Sequence, residues 1–120
     1  MEKITVYEKP TCTTCRNVSK ILIANGVDFE KVNYYIEPFT EKKLRSLIKK
    51  MGIKPVELLR KKEKAAEEID IENSSDEELI KFMVNNPDLV QRPIVEAGDK
   101  AVLARPPEKI YELFEWTPSI

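Results

Sequence analysis

The chain of 120 residues contains no histidine, only two cysteines and almost no net charge. A structural zinc site needs about four Cys or His ligands, so a metal centre here would depend on carboxylates, and none is expected. The 20 basic and 21 acidic residues give a formal net charge of −1. This balance provides no general attraction to nucleic acid or to an anionic membrane, so a basic binding face would have to be local.

The sequence also lacks a long apolar run near its start. The segment MEKITVYEKP carries early charges and only a short apolar stretch, so neither a secretory signal nor a membrane span is expected. The expected location is the cytoplasm, where two closely spaced cysteines are poorly explained as a structural disulfide. The length and a hydrophobic fraction of 42% predict one compact domain over residues 1–120.

Both cysteines lie in KPTCTTCRNV, residues 9–18. The residues before this stretch alternate in β-prone types, and Val18, Ile21 and Leu22 recur at helical spacing until Asn25-Gly26. The motif is therefore predicted to form the turn from a strand into a helix.

This placement predicts reactive thiols. Cys12 at a helix N-terminus would be stabilised as a thiolate by free amide groups and the helix dipole, and Arg16 would add positive charge. Cys15 would lie one turn into the helix on the same side, where it could resolve an adduct formed on Cys12. Two buried thiols without chemistry are the alternative interpretation.

The rest of the chain follows from periodicity and turn residues. The predicted elements are a strand over 27–34, a helix over 40–52, a helical turn over 55–60, a helix after Ser75, a hairpin over 93–104 and a last helix with Ile110, Leu113 and Phe114. The charged segment 61–73 is interpreted as a solvated helix face or a mobile connection without chemistry. The order of elements is α/β and typical of a thioredoxin-like mixed sheet of about four strands flanked by helices. A helical insertion of about residues 40–90 follows the second strand.

Arginine is used sparingly, at five positions among twenty basic residues. Arg92 and Arg105 each precede a proline at the edge of a predicted hairpin strand, and Arg60 follows a Leu-Leu pair that should be buried. The planar guanidinium suits recognition of an oxyanion through two oxygens, so all three are candidate anion ligands beside Cys12. Surface ion pairs are the alternative.

Four segments together resemble the arsenate reductases of the glutathione and glutaredoxin-coupled type over nearly the whole chain. They are KPTCTTCRN, LLRKKE, FMVNNPDLVQRPIV and ARPPEKI. The resemblance implies a thioredoxin-like fold, Cys12 as the nucleophile, and Arg60, Arg92 and Arg105 as ligands of arsenate. It also implies a cis peptide bond at Arg92-Pro93. No bound cofactor is implied, and an external thiol reductant, either glutathione with glutaredoxin or thioredoxin, would restore the thiols.

The chain departs from the family pattern at two positions. The family has histidine where this chain has Glu8 and serine where it has Cys15. A carboxylate near Cys12 would raise the thiol pKa, so activation would fall to Lys9, Arg16, the arginines and the helix terminus. Cys15 makes an internal disulfide possible.

The expected function is reduction of arsenate or a similar oxyanion, with no membrane or direct nucleic-acid partner. Two alternatives are open. The C-x-x-C-Arg pattern also resembles the Spx transcription regulators, which bind RNA polymerase, although these generally lack the family's third arginine. A general dithiol oxidoreductase on the same scaffold is the other alternative.

Overall fold

The computed structural model describes residues 3–114, with side chains as far as Leu113. The ends of the predicted 1–120 domain and the side chain of Phe114 lie outside the described residues. The strands are β1 (Ile4–Glu8), β2 (Glu30–Asn33), β3 (Ile94–Ala97) and β4 (Lys100–Leu103). The helices are α1 (Thr13–Ala24), α2 (Glu41–Met51), α3 (Pro55–Leu58), α4 (Asp76–Asn85) and α5 (Ile110–Phe114). Short 3-10 turns cover Lys64–Glu68, Pro87–Leu89 and Pro107–Lys109.

The four strands form one mixed sheet in the order β2-β1-β3-β4. β1 is parallel to β2, in the register Tyr7 to Val32, and antiparallel to β3, in the register Val6 to Val95. β3 and β4 pair as the predicted antiparallel hairpin, and Gly98 begins its turn with a φ of 63°. The predicted mixed sheet of about four strands is therefore confirmed.

β2 is shorter than the predicted strand over 27–34. At its start, the Val27 amide still donates to the Leu22 carbonyl at 3.1 Å, so this residue belongs to the end of the helix. At its end, the Asn33 carbonyl accepts from the Ile36 amide at 3.0 Å, and its side-chain oxygen accepts from the Tyr35 amide at 3.0 Å. These bonds turn the chain directly after Asn33.

The described residues divide into two compact units. The first contains the sheet and runs to Glu37 and again from Arg92; the second, Pro38–Gln91, is helical apart from an isolated bridge between Leu59 and Val90. The second unit falls where a helical insertion of about residues 40–90 was expected. A single domain over the whole chain stays a prediction.

The sheet unit is held together by a buried apolar cluster. Its members are Ile4, Val6, Val18, Leu22, Val95, Ala97, Ala104 and Ile110. Val18 and Leu22 come from α1 and are both fully buried. This burial fixes α1 against the sheet, and with it the position of the motif that precedes the helix.

The helical unit confirms the predicted helix ends. Thr40 caps α2 by accepting a hydrogen bond from the Lys43 amide at 3.0 Å, and Gly52 ends that helix in the left-handed region with a φ of 67°. Ser75 and Glu78 form the predicted capping box at the start of α4. In the charged segment 61–73, Ala66 is buried, while every charged residue is exposed or half-buried.

Candidate active site

Cys12 is the N-cap residue of α1, as the sequence predicts. Its backbone is extended, with φ −81° and ψ 124°, and its amide donates to the Lys9 carbonyl at 2.9 Å. Its own carbonyl accepts from the Arg16 amide at 3.1 Å, the first turn of the helix. The Cys12 thiol is partly exposed and Cys15 is fully buried, and both are free thiols.

The surroundings of Cys12 favour its thiolate. Partial burial alone would raise the pKa of the Cys12 thiol, but hydrogen bonds from the Cys15 amide and thiol and from the Thr14 amide act in the opposite direction. The charge of Arg92 adds to them, and the pKa lies below its ordinary value. The lowered pKa favours the thiolate, which is the nucleophilic form of a cysteine side chain.

Cys15 has the opposite character. Burial raises the pKa of its thiol to about 12; the Lys9 backbone amide works against this, whereas Cys12 and the charge of Glu8 add to it. A protonated Cys15 can donate to the Cys12 thiolate, so the two thiols divide the roles of ionised and neutral partner.

Arg92, two residues before β3, lies close enough to Cys12 for its charge to act on that thiol. Its side chain is buried, and the following peptide bond, Arg92-Pro93, is cis, as the family resemblance implies. One guanidinium nitrogen, Nη1, lies 3.4 Å from the Tyr34 hydroxyl and 3.2 Å from the Tyr35 hydroxyl, to which it donates. No acceptor among the described residues reaches the buried Nε. A buried donor without a partner is costly, and an anion bound here would satisfy it.

Arg105 is held against the motif itself. Its Nη1 donates to the Thr14 hydroxyl at 3.4 Å and to the Arg92 carbonyl at 3.3 Å. Thr14 lies between the two cysteines, so these bonds bring the second candidate arginine to the C-x-x-C loop. The Arg105-Pro106 peptide bond is also cis, which the sequence did not indicate.

The two residues expected to support the site have different surroundings. The Lys9 ammonium lies 4.9 Å from the centroid of the Tyr35 ring, a cation–π contact that holds it on the Arg92 side of the loop. Arg16 is exposed on α1. The arginine charge that lowers the Cys12 pKa is that of Arg92. A supporting role for Arg16 stays a prediction.

Arg60, the third candidate arginine, belongs to the helical unit. Its amide donates to the Leu89 carbonyl at 2.7 Å, next to the bridge between Leu59 and Val90. Its guanidinium pairs with Glu63 at 3.2 Å, and both side chains are half-buried. The anion-binding role of Arg60 stays a prediction.

Sequence reasoning missed the residues that hold the arginines in place. Tyr34 and Tyr35 carry no motif signal, because their contact with Arg92 joins positions 57 and 58 residues apart. The Thr14 contact with Arg105 spans 91 residues. The adjacent tyrosines after a strand and the threonine inside the cysteine pair were visible, but nothing in the sequence connected them to an arginine.

Neither a membrane span nor a metal centre is found within the described chain. None of the helices in residues 3–114 is long and apolar enough to cross a membrane. The same residues contain no group of three His, Cys, Asp or Glu side chains arranged to hold a metal ion.

Comparison with known proteins gives one consistent result. The profile of the ArsC family matches residues 7–113. An arsenate reductase of Yersinia enterocolitica is 40% identical over 94% of this chain and 82% of its own, and the uncharacterised protein YfgD of Escherichia coli is 39% identical over 93% and 97%. The solved structure of an arsenate reductase from Vibrio cholerae superposes with a TM-score of 0.87 at 27% identity, covering 92% of this chain and 97% of that one.

The chain belongs to the ArsC family, and its fold is the thioredoxin-like α/β fold that the sequence predicted. The matched range, residues 7–113, contains both cysteines and the three candidate arginines.

Proposed function

We propose that the protein is an arsenate reductase in which Cys12 is the nucleophile. The observation that carries the proposal is the buried Arg92 guanidinium beside a thiol of lowered pKa, with an Nε donor that no described residue satisfies. A nucleophile and an anion ligand placed side by side suit attack on an oxyanion. The reductases among the relatives support arsenate as that oxyanion.

In the first step, the Cys12 thiolate attacks the arsenic atom of bound arsenate. An As–O bond breaks as the S–As bond forms, and the oxygen leaves as water after protonation. Arg92 and Arg105 offset the charge of the remaining oxygens, together with the free amides at the start of α1. Arg60 is proposed as the third ligand.

In the second step, a thiol attacks the Cys12 sulfur. The S–As bond breaks with its electron pair passing to arsenic, so arsenic(V) becomes arsenic(III) and leaves as arsenite. If Cys15 is the attacking thiol, the product is a Cys12–Cys15 disulfide; if glutathione attacks, it is a mixed disulfide on Cys12. We propose Cys15, because the motif places it one helical turn from Cys12 with its thiol donating toward the Cys12 sulfur.

The proposal is tested by arsenate-dependent oxidation of NADPH. The protein is supplied in parallel with thioredoxin and its reductase, or with glutathione, glutaredoxin and glutathione reductase. Turnover should be lost in Cys12→Ser and fall steeply in Arg92→Ala. Arg45→Ala serves as the matched control, because Arg45 pairs with Glu77 on the exposed surface of the helical unit.

The same assay identifies which reductant supplies electrons to the protein. With Cys15 as the resolving thiol, Cys15→Ser stops turnover with thioredoxin but still forms the first adduct. Full thioredoxin-driven turnover in that variant contradicts the resolving role. The protein could also fail to turn over arsenate with either reductant while Cys12 and Cys15 still form a reversible disulfide. That result contradicts the proposed arsenate reductase activity and favours a redox-sensing regulator or a general dithiol oxidoreductase.

A further inference from the structure

Thr14 is the residue of the cysteine motif that contacts both the nucleophile and an arginine. Its amide donates toward the Cys12 sulfur, and its hydroxyl accepts a hydrogen bond from Arg105 Nη1 at 3.4 Å. Thr14 is half-buried in the first turn of α1, and its branched side chain has few rotamers available there. The proposed mechanism uses the Thr14 amide but gives its hydroxyl no part.

Arg105 is exposed, on the loop that follows β4. A long arginine side chain at the surface has many rotamers, and restricting them when a ligand binds costs free energy. Here two acceptors restrict the side chain in advance, the Thr14 hydroxyl at 3.4 Å and the Arg92 carbonyl at 3.3 Å. One such bond would leave the guanidinium free to swing about that nitrogen, whereas two bonds hold it at the loop that contains the nucleophile.

The two bonds use one nitrogen of Arg105 and leave one edge of its guanidinium for a ligand. Both are donated by Nη1, whereas Nε and Nη2 form the edge that can bind two oxygens of an oxyanion side by side. Arg92 has the same arrangement, because its Nη1 donates to two tyrosine hydroxyls and no described acceptor reaches its buried Nε. The two arginines therefore use the same nitrogen for the protein and keep corresponding donors for an anion.

We propose that the Thr14 hydroxyl is a positioning group, which orients the open edge of Arg105 toward an oxyanion bound at Cys12. The hydroxyl acts through Arg105 and does not contact the anion itself. The inference rests on the proposed role of Arg105 as an oxyanion ligand, but it does not depend on the reduction of arsenate.

The amide and the hydroxyl of Thr14 then have separate effects. The amide acts on the Cys12 thiol and helps to lower its pKa, whereas the hydroxyl acts on Arg105 and through it on anion affinity. A substitution of the side chain leaves the amide in place. It should therefore weaken anion binding without changing the ionisation of Cys12.

The test measures how well inorganic phosphate protects Cys12 of the reduced protein from iodoacetamide. Phosphate has the shape and charge of arsenate but is not reduced by thiols, so the concentration that halves the alkylation rate reports anion binding alone. Cys15 is fully buried, and mass spectrometry confirms that the label is on Cys12. Alkylation without phosphate, repeated over a range of pH, gives the ionisation midpoint of Cys12 in the same protein.

Thr14→Val removes the hydroxyl and keeps the branched shape of the side chain. The half-protecting concentration of phosphate should rise about fivefold, the effect of losing one hydrogen bond, while the pH midpoint of Cys12 stays where it is. Thr14→Ser keeps the hydroxyl and should retain most of the affinity. Thr13→Val is the matched control, because Thr13 is the exposed threonine next to it and Arg105 donates to Thr14.

A double-mutant cycle shows whether the hydroxyl acts through Arg105. Arg105→Ala should itself weaken phosphate protection, and adding Thr14→Val to it should have no further effect, because the group to be positioned is gone. In the arsenate turnover assay, Thr14→Val should raise KM by a similar factor with little change in kcat.

Four results would overturn the proposal. Equal phosphate protection of Thr14→Val and wild type would mean that Arg105 is oriented without the hydroxyl, and would leave the anion site intact. A further loss of protection when Thr14→Val is added to Arg105→Ala would mean that the hydroxyl acts by another route. A shifted Cys12 midpoint in Thr14→Val would assign the side chain a structural role in the motif. A wild-type protein that phosphate does not protect would remove the oxyanion site itself, and with it the role of Arg105 in the proposed function.

Discussion

Arg92 determines more of the candidate site than its position in the sequence suggests. Its guanidinium donates to two tyrosine hydroxyls, and its backbone carbonyl accepts a hydrogen bond from the Arg105 guanidinium. Its positive charge helps to lower the pKa of the Cys12 thiol. A guanidinium fixed in this way keeps its remaining donors oriented for a ligand before the ligand arrives.

The ionisation of Cys12 should depend on Arg92. Because the Cys12 pKa is lowered, its thiolate should persist below the ordinary thiol pKa of about 8.5, and the rate of alkylation by iodoacetamide should reach half its maximum below that pH. Arg92→Ala should move this midpoint upward and slow alkylation at pH 7 several-fold, whereas Arg92→Lys should move it less. Mass spectrometry identifies Cys12 as the modified site. An identical midpoint in Arg92→Ala would show that the hydrogen bonds around Cys12 lower its pKa without help from the Arg92 charge.

The Tyr35 hydroxyl should contribute to arsenate affinity without contacting arsenate. Tyr35→Phe removes one of the two hydroxyl acceptors of Arg92 but keeps the ring beneath Lys9. A hydrogen bond of this kind is worth about 1 kcal/mol, so KM for arsenate should rise roughly fivefold with little change in kcat. Tyr111→Phe is the control, since Tyr111 packs on the sheet core. If KM is the same in Tyr35→Phe and wild type, the tyrosine does not orient the arginine.

A second buried polar contact joins the paired strands β1 and β3. Tyr7 on β1 donates to Glu96 on β3 at 2.8 Å, and the side chains of both residues are buried. Burial, with the neighbouring Glu96, raises the pKa of the Tyr7 phenol well above its ordinary value. The neutral phenol is therefore the form that the folded sheet accommodates.

This contact predicts how stability changes at alkaline pH. Since the Tyr7 pKa is higher in the folded than in the unfolded chain, its contribution is complete below about pH 10 and is lost as the pH rises above that value. Urea unfolding at pH 8 and pH 11 should show a smaller alkaline loss in Tyr7→Phe than in wild type. At pH 8, Tyr7→Phe should cost about 1–2 kcal/mol. An equal alkaline loss in both proteins would exclude Tyr7 as its source.

The elements themselves were largely predictable from the sequence. Apolar spacing located α1, α2 and α4, and capping residues such as Thr40 and Ser75 fixed their starts, because these signals are local. β2 was predicted too long, since backbone and side-chain bonds of Asn33 turn the chain where β-prone residues continue. The burial of Glu8 was not predictable, because a carboxylate at a strand end usually faces solvent.

For the molecule as a whole, the sequence named as candidates the two cysteines and the two arginines that the structure brings together in the sheet unit, but not their partners. The role of Arg60 stays a prediction. The contacts of Arg92 and Arg105 come from residues far away in the chain, and such contacts depend on the completed sheet rather than on local pattern. Family resemblance supplied the cis bond at Arg92-Pro93; composition and spacing alone did not.

The expectation of a single domain gives a prediction for the whole chain. Leu47 is fully buried in α2, so Leu47→Ala should cost about 2–5 kcal/mol. If the chain unfolds as one cooperative unit, hydrogen exchange should accelerate in the sheet unit as well as in the helical unit. Arg45→Ala, on the exposed face of the same helix, should change exchange little. Acceleration confined to Pro38–Gln91 would mean that the two units unfold separately.

Because the two thiols differ in exposure, the number of labels on a molecule reports whether its active-site region was closed or open. A bulky irreversible alkylating reagent can reach Cys12, whereas Cys15 has no exposed surface. A protein molecule that gains one label has kept the start of α1 closed, and one that gains two has opened it. Mass spectra after short labelling pulses thus measure how often this part of the chain opens, with two native residues serving as the probe.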